Sequence, residues 1–283
     1  MASKKWAAFK HSGKAFDFSG DKLARAWPAL HAGDQEPFPD SERVAGLLKA
    51  SGKLGKAADA GKLATSLQEG WRAFHQGDFQ SAFEIGDGLG PLGATLASKA
   101  MGIHATYLVD DEKEKLKRFE AAAAKALAAQ DALPREANTF YFHAFTLGRY
   151  SQMISISKAL TQGLAGKVRA SLEAALKLAP KHAEAHTALA LYHAEVVGKV
   201  GGLIAGLTYG AKAALAEEHI RTALKLTPNA PIAHIEYGNA LLLLYGSKRE
   251  DDAAASYAKA AKLKPQDAME ALDIAYAAAQ LGS

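Results

Sequence analysis

The 283-residue chain has no cysteine. This excludes disulfides, thiolate zinc sites and cysteine nucleophiles together. Long apolar runs are also missing. The longest uncharged stretches, such as 200–211, are too short and too rich in glycine to cross a bilayer, which takes about 20 helical residues. The first twenty residues scatter Lys4, Lys5, Lys10 and Lys14 among single aromatics and lack the apolar core of a secretory signal, so the expected location is the cytoplasm. A strong charge of one sign is absent too. The net charge is +4, and residues 1–62 hold all of it, with 11 Lys plus Arg against 7 Asp plus Glu. That surplus is too thin for a basic nucleic-acid face and argues against such a partner.

Alanine is abundant and is mixed with Lys and Glu. Alanine loses no side-chain entropy in a helix and lets helices approach closely, so an all-α fold is expected. Proline is scarce, and its placement is therefore informative. Ala175-Leu-Lys-Leu-Ala-Pro180, Ala223-Leu-Lys-Leu-Thr-Pro228 and Ala260-Ala-Lys-Leu-Lys-Pro265 each close a helix with a proline that stops it. Counting from these prolines, Ala190, Gly238 and Ala275 recur ten residues after. Ala175, Ala223 and Ala260 lie five residues before, and Leu172, Ile220 and Tyr257 eight before.

This pattern resembles the tetratricopeptide repeat, whose unit of about 34 residues is an antiparallel helix pair with small residues where the helices touch. The resemblance is clear from about Arg135 onward. It implies an all-α, right-handed helical solenoid, no catalytic machinery and no cofactor, and a protein or peptide partner bound along the concave face of the first (A) helices. By the family pattern the exposed A-helix positions are Glu184, Thr187 and Leu191, then Ile232, Ile235, Asn239 and Leu242, then Met269, Leu272 and Tyr276. These are mostly apolar. The Lys and Asn arrangement with which some relatives hold a peptide's terminal carboxylate is absent.

Two repeats are longer than the family unit. Pro228 follows Pro180 by 48 residues, which requires an insertion at 196–210 between helices A and B, and the preceding repeat is interrupted at 151–166. Ile154, Ile156, Leu160 and Leu164 from one insertion, with Val200, Leu203, Ile204, Leu207 and Tyr209 from the other, would make an apolar lobe beside the groove. A continuous apolar groove marks an interface or a ligand pocket. The C-terminal half has a faint resemblance to TRAP-transporter-associated tetratricopeptide proteins and the regulator-of-microtubule-dynamics family, which implies an apolar small molecule or lipid as the alternative ligand.

Upstream, residues 23–34 match residues 67–78, pairing Trp27 with Trp71, His31 with His75 and Asp34 with Asp78. The second copy reads as a degenerate repeat, with further helices at 94–108 and 112–130 and a capping helix at 267–281. The chain divides into a basic extension (1–62), degenerate repeats (63–134) and regular repeats (135–283). Trp6, Phe9, Phe16 and Phe18 in the extension are candidates to cover the groove, and the basic aromatic start at 4–10 is a candidate for weak contact with anionic membrane.

Two apparent motifs have plainer readings. Gly88, Gly90 and Gly93 match a dinucleotide-binding spacing, but that motif must join a strand to a helix and here it lies between helices. His182 and His186 are spaced i, i+4 beside Glu184, yet a metal would need further ligands, so packing is the expectation and no metal site is assigned.

Overall fold

The computed structural model describes residues 5–10, 13, 15–54 and 59–282; Lys4 and Lys14 lie outside them. The described residues form helices and no strand. They are α1 (Lys22–Leu30), α2 (Ser41–Ala50), α3 (Ala60–Gln76), α4 (Phe79–Gly88), α5 (Ala94–Tyr107), α6 (Glu112–Gln130), α7 (Ala137–Gln152), α8 (Ile156–Thr161), α9 (Leu164–Leu178), α10 (Ala183–Val200), α11 (Gly202–Tyr209), α12 (Ala213–Leu226), α13 (Pro231–Tyr245), α14 (Glu250–Ala261) and α15 (Ala268–Leu281). The pairs α3/α4, α5/α6, α7/α9, α10/α12 and α13/α14 are the repeats, and α15 follows as the last A-type helix. The inserted α8 and α11 fall between helices A and B of the two lengthened repeats.

Local chemistry sets the helix ends. The side chains of Asp40, Asp78, Asp111 and Asp267 accept from backbone N–H groups three residues on, at 2.7, 3.1, 2.7 and 2.9 Å, and so satisfy donors that the first turn leaves free. Pro231 opens α13, where a missing N–H costs nothing. Pro180, Pro228 and Pro265 stand between helices, as their spacing requires.

The repeat positions are the core. Ala175, Ala223 and Ala260 are fully buried, and Leu172, Ile220 and Tyr257 are buried with them. A Cβ on Gly238 would meet the Tyr257 ring at 3.0 Å, so only the smallest residue lets α13 and α14 approach this closely. Ala275 is exposed instead.

The A helices α3, α5, α7, α10, α13 and α15 line the inside of the curve, and α15 reaches back to α3. His75 Nδ1 on α3 meets Asp267 Oδ2 at the start of α15 at 2.6 Å. Tyr107 on α5 donates to Asp273 on α15. Arg149 on α7 reaches Glu236 on α13 at 2.8 Å. The solenoid is thereby drawn into a nearly closed ring.

Candidate functional site

The glycine-rich spacing is helix packing. A Cβ on Gly93 would lie 2.2 Å from the Gly86 carbonyl oxygen, and one on Gly86 would lie 2.8 Å from the Ala97 nitrogen. The α4–α5 connection is therefore a close backbone crossing with no strand before it, and offers no dinucleotide cradle. The histidine pair is likewise divided. His182 caps α10, its Nδ1 accepting from Ala185 N at 3.0 Å, so its Nε2–H donates to Asn138 Oδ1 at 2.8 Å. His186 turns to His219, 2.9 Å away.

Inside the ring lies a buried polar cluster that the sequence did not announce. The segment between α1 and α2 enters the curve and touches four A helices. Asp34 bonds Lys99 Nζ on α5 at 2.6 Å, Gly33 O accepts from Glu184 N on α10 at 3.1 Å, and Asn138 on α7 donates to Asp34 O at 3.0 Å. His31 reaches His75 on α3 through their Nε2 atoms at 3.2 Å and bonds Asp34 through Nδ1 at 2.8 Å. The two matched copies detected in the sequence thus meet face to face, with the Trp27 and Trp71 ring centres 5.6 Å apart.

Lys99 is 1% exposed and lies 5.5 to 5.9 Å from the ring centres of Trp71, Phe74 and Phe142. Burial opposes its charge, but Asp34 keeps it protonated, above its ordinary value. Burial likewise works against the Asp34 carboxylate, yet His31 and Lys99 hold it well below the usual range. Burial lowers His31 and His182 to about 4, leaving both neutral at neutral pH. On the α15 side burial lifts Asp273 to about 8 and Glu270 to about 7, and it also lifts Glu184 to about 7 against the pull of Lys99. Each member of the cluster is engaged by a neighbour, so its chemistry is that of a polar core that ties the ring together.

Beside this cluster opens an apolar cavity of about 240 Å³. It is the meeting place of the two sequence-derived sets. From the A-helix set, Glu184, Thr187, Leu191 and Ile232 line it. From the insertions, Ile154, Ile156, Leu160, Leu164, Val200 and Tyr209 line it. The repeat-core residue Leu172 lines it too, and Tyr141, Phe145, Arg149, Val168 and Tyr192, which the repeat pattern did not single out, contribute to the wall. At the inner end Tyr141 donates to Glu184, and Arg149 is held by Glu236. Tyr192 O–H donates to the Tyr209 carbonyl at 3.1 Å, and Arg169 bonds the same carbonyl at 2.8 Å, fixing the end of α11 against α9 and α10.

The remaining A-helix residues go elsewhere. Ile235, Asn239 and Tyr276 line a separate, more polar cleft of about 220 Å³ with Tyr107 and Glu236. Met269 borders another cleft, of about 250 Å³, with Glu270 and Asp273. Leu272 packs in the aromatic cluster around Trp27 and Trp71, and Leu242 is surface-exposed. Leu203, Ile204 and Leu207 do not enter the cavity; they face outward from α11. The N-terminal aromatics lie away from this cavity and share the aromatic cluster with Met269 and Leu272. Trp6 stacks on Phe83 at 5.2 Å and lies 4.3 Å from the Arg118 guanidinium, Phe9 packs on Phe79, and Phe18 on His75, while Phe16 joins the same cluster. The segment that fills the inside of the curve is 31–36.

No helix among the described residues is long and apolar enough to cross a membrane. No protein-family model and no curated protein matches the sequence. Among solved structures the chain is similar to a thermophilic TPR protein of Thermus thermophilus, at 16% identity and a TM-score of 0.54, covering 77% of this chain and 99% of that one. At that identity the likeness speaks for fold, and it agrees with the helix pairs and repeat positions described above: the chain has a tetratricopeptide-repeat-like fold.

Proposed function

We propose that this scaffold is a non-catalytic binding protein whose cavity takes a small molecule or lipid with an apolar body and a polar end. The observation that carries the reading is the convergence of both insertions on one apolar cavity, which ends at Arg149, Tyr141 and Glu184. Insertions at the same place in neighbouring repeats are adjacent by stacking and could pack tightly on each other; here they leave an apolar cavity of about 240 Å³ open instead. The alternative, an extended peptide along the A helices, has less room. The 31–36 segment occupies the inside of the curve across α3, α5, α7 and α10, and Ile235 is 1% exposed. A peptide laid there would have to displace buried charge pairs, whereas the cavity needs only apolar contact, worth about 25 cal/mol per Å² buried.

The test uses cis-parinaric acid, a polyene fatty acid whose fluorescence rises in apolar surroundings. The protein should bind it saturably. Ala188→Trp, which places an indole among the lining residues of the cavity, should weaken binding by at least about tenfold while leaving the far-UV circular dichroism unchanged. Equal binding by the variant, or none by the wild type, would remove the cavity reading.

A further inference from the structure

Both insertions leave aliphatic side chains in solvent. Ile156 and Leu160 line the cavity yet are 53% and 49% exposed, so they form its mouth. Next to it, Leu203 and Leu207 of α11 are 77% and 82% exposed, with Ile204 beside them. Leu203 and Leu207 stand one turn apart on one helix face. Grouped exposed apolar side chains, unlike single scattered ones, mark an interaction surface.

The charge around them limits what that partner can be. Residues 153–172 contain Lys158, Lys167 and Arg169 and residues 196–216 contain Lys199 and Lys212, with Glu173, Glu195, Glu217 and Glu218 at their borders; Glu217 is paired with Arg221. Arg169 is paired with Glu173 and Lys199 with Glu195. Lys158, Lys167 and Lys212 are exposed and make no ion pair with the described residues. The region of highest aliphatic exposure therefore carries three exposed lysines outside any ion pair of the described residues. A second copy docked face to face would bring the same lysines together. Unpaired cations around exposed leucines instead match a surface that offers negative charge above an apolar interior.

We propose that α8 and α11 dock this protein on an anionic lipid bilayer, with Leu203, Ile204 and Leu207 inserted at the headgroup boundary and Lys158, Lys167 and Lys212 against lipid phosphates and carboxylates. The mouth of the cavity then faces the membrane, a route for an apolar ligand that never crosses water. That route rests on the cavity reading; the docking itself does not.

The experiment is flotation of the full chain with vesicles of phosphatidylcholine mixed with phosphatidylserine, compared with phosphatidylcholine alone. Binding should require the anionic lipid and fall with added salt. Leu203→Ser/Leu207→Ser removes only exposed groups and should reduce partitioning at least about tenfold. Each surface lysine contributes about fivefold, so Lys158→Gln/Lys212→Gln should reduce it about 30-fold. Cis-parinaric acid binding measured without vesicles should survive both double substitutions, so that failure of docking and failure of the cavity reading are distinguishable. Equal flotation with both vesicle types, unchanged flotation of the variants, or a dimer in sedimentation that Leu203→Ser/Leu207→Ser dissolves would overturn the proposal.

Discussion

Replacing Lys99 by methionine tests whether the polar cluster holds the ring together. Methionine keeps most of the aliphatic stem but removes an ammonium that lies 2.6 Å from Asp34 and is surrounded by Trp71, Phe74 and Phe142. The Asp34 carboxylate, itself 1% exposed, would remain buried without its cation. Breaking a buried pair from one side costs about 3–5 kcal/mol, because the orphaned charge keeps its desolvation penalty. With an unfolding entropy of about 2.1 cal/mol/K per residue, a chain of this length would lose about 5–8 °C in Tm. Urea denaturation followed by circular dichroism measures the free energy directly. The double variant Lys99→Met/Asp34→Asn should recover much of the loss, giving a coupling of at least about 2 kcal/mol. Lowering the pH towards 4 should shrink the deficit of the single variant as the stranded carboxyl takes up a proton. A single variant within about 1 kcal/mol of wild type, or a double variant as unstable as the summed singles, would refute the reasoning.

Asp273 gives a second stability test, through pH. Its folded pKa of about 8 lies above the ordinary 3.8, so the folded state keeps a proton that the unfolded state has released. The stability it contributes is complete below the unfolded value and is lost as pH rises through about 8. Asp273→Asn should leave the Tyr107 hydroxyl an acceptor and remove about 2 kcal/mol of the decline between pH 6.5 and 9, or about 3 °C in Tm; a variant with the wild-type slope would contradict this. The α4–α5 crossing gives the third test. Gly93→Ala should destabilise by about 2 kcal/mol, since the new methyl meets backbone that cannot retreat, whereas Gly88→Ala, with open space around it, should not. Equal urea midpoints for the two would count against the packing account.

Much of the helix pattern is legible in the sequence because it rests on local chemistry. The three prolines mark breaks between helices, and the alanines five residues before them are buried where the repeat places them. Residues 94–108 and 112–130 form helices as expected, ending within a residue of the forecast. Closure of the ring is not legible, because it depends on contacts such as His75 with Asp267, 192 residues apart, which no local pattern encodes. That distance also explains the fate of the A-helix set. Repeat spacing identifies which face of a helix is turned inward, but not what the rest of the chain puts there. Lys99 did leave a signal: it is the one Asp, Glu, Lys or Arg residue between 88 and 109, in a helix buried along most of its length. A lysine in such a place implies a buried partner, though not which one. Gly201, at a φ of +79°, breaks the chain between α10 and α11, and Leu203 and Leu207 are exposed on the helix that follows. Hydrophobicity alone placed them in the lobe.

The most direct test of the ligand-binding account is native mass spectrometry of the purified full-length protein beside the same sample denatured. The account predicts a discrete added mass, lost on denaturation and absent from Ala188→Trp, that fragments as a molecule with an apolar body and a polar end. A bare protein that also stays bare after incubation with fatty acids or phospholipids would contradict it.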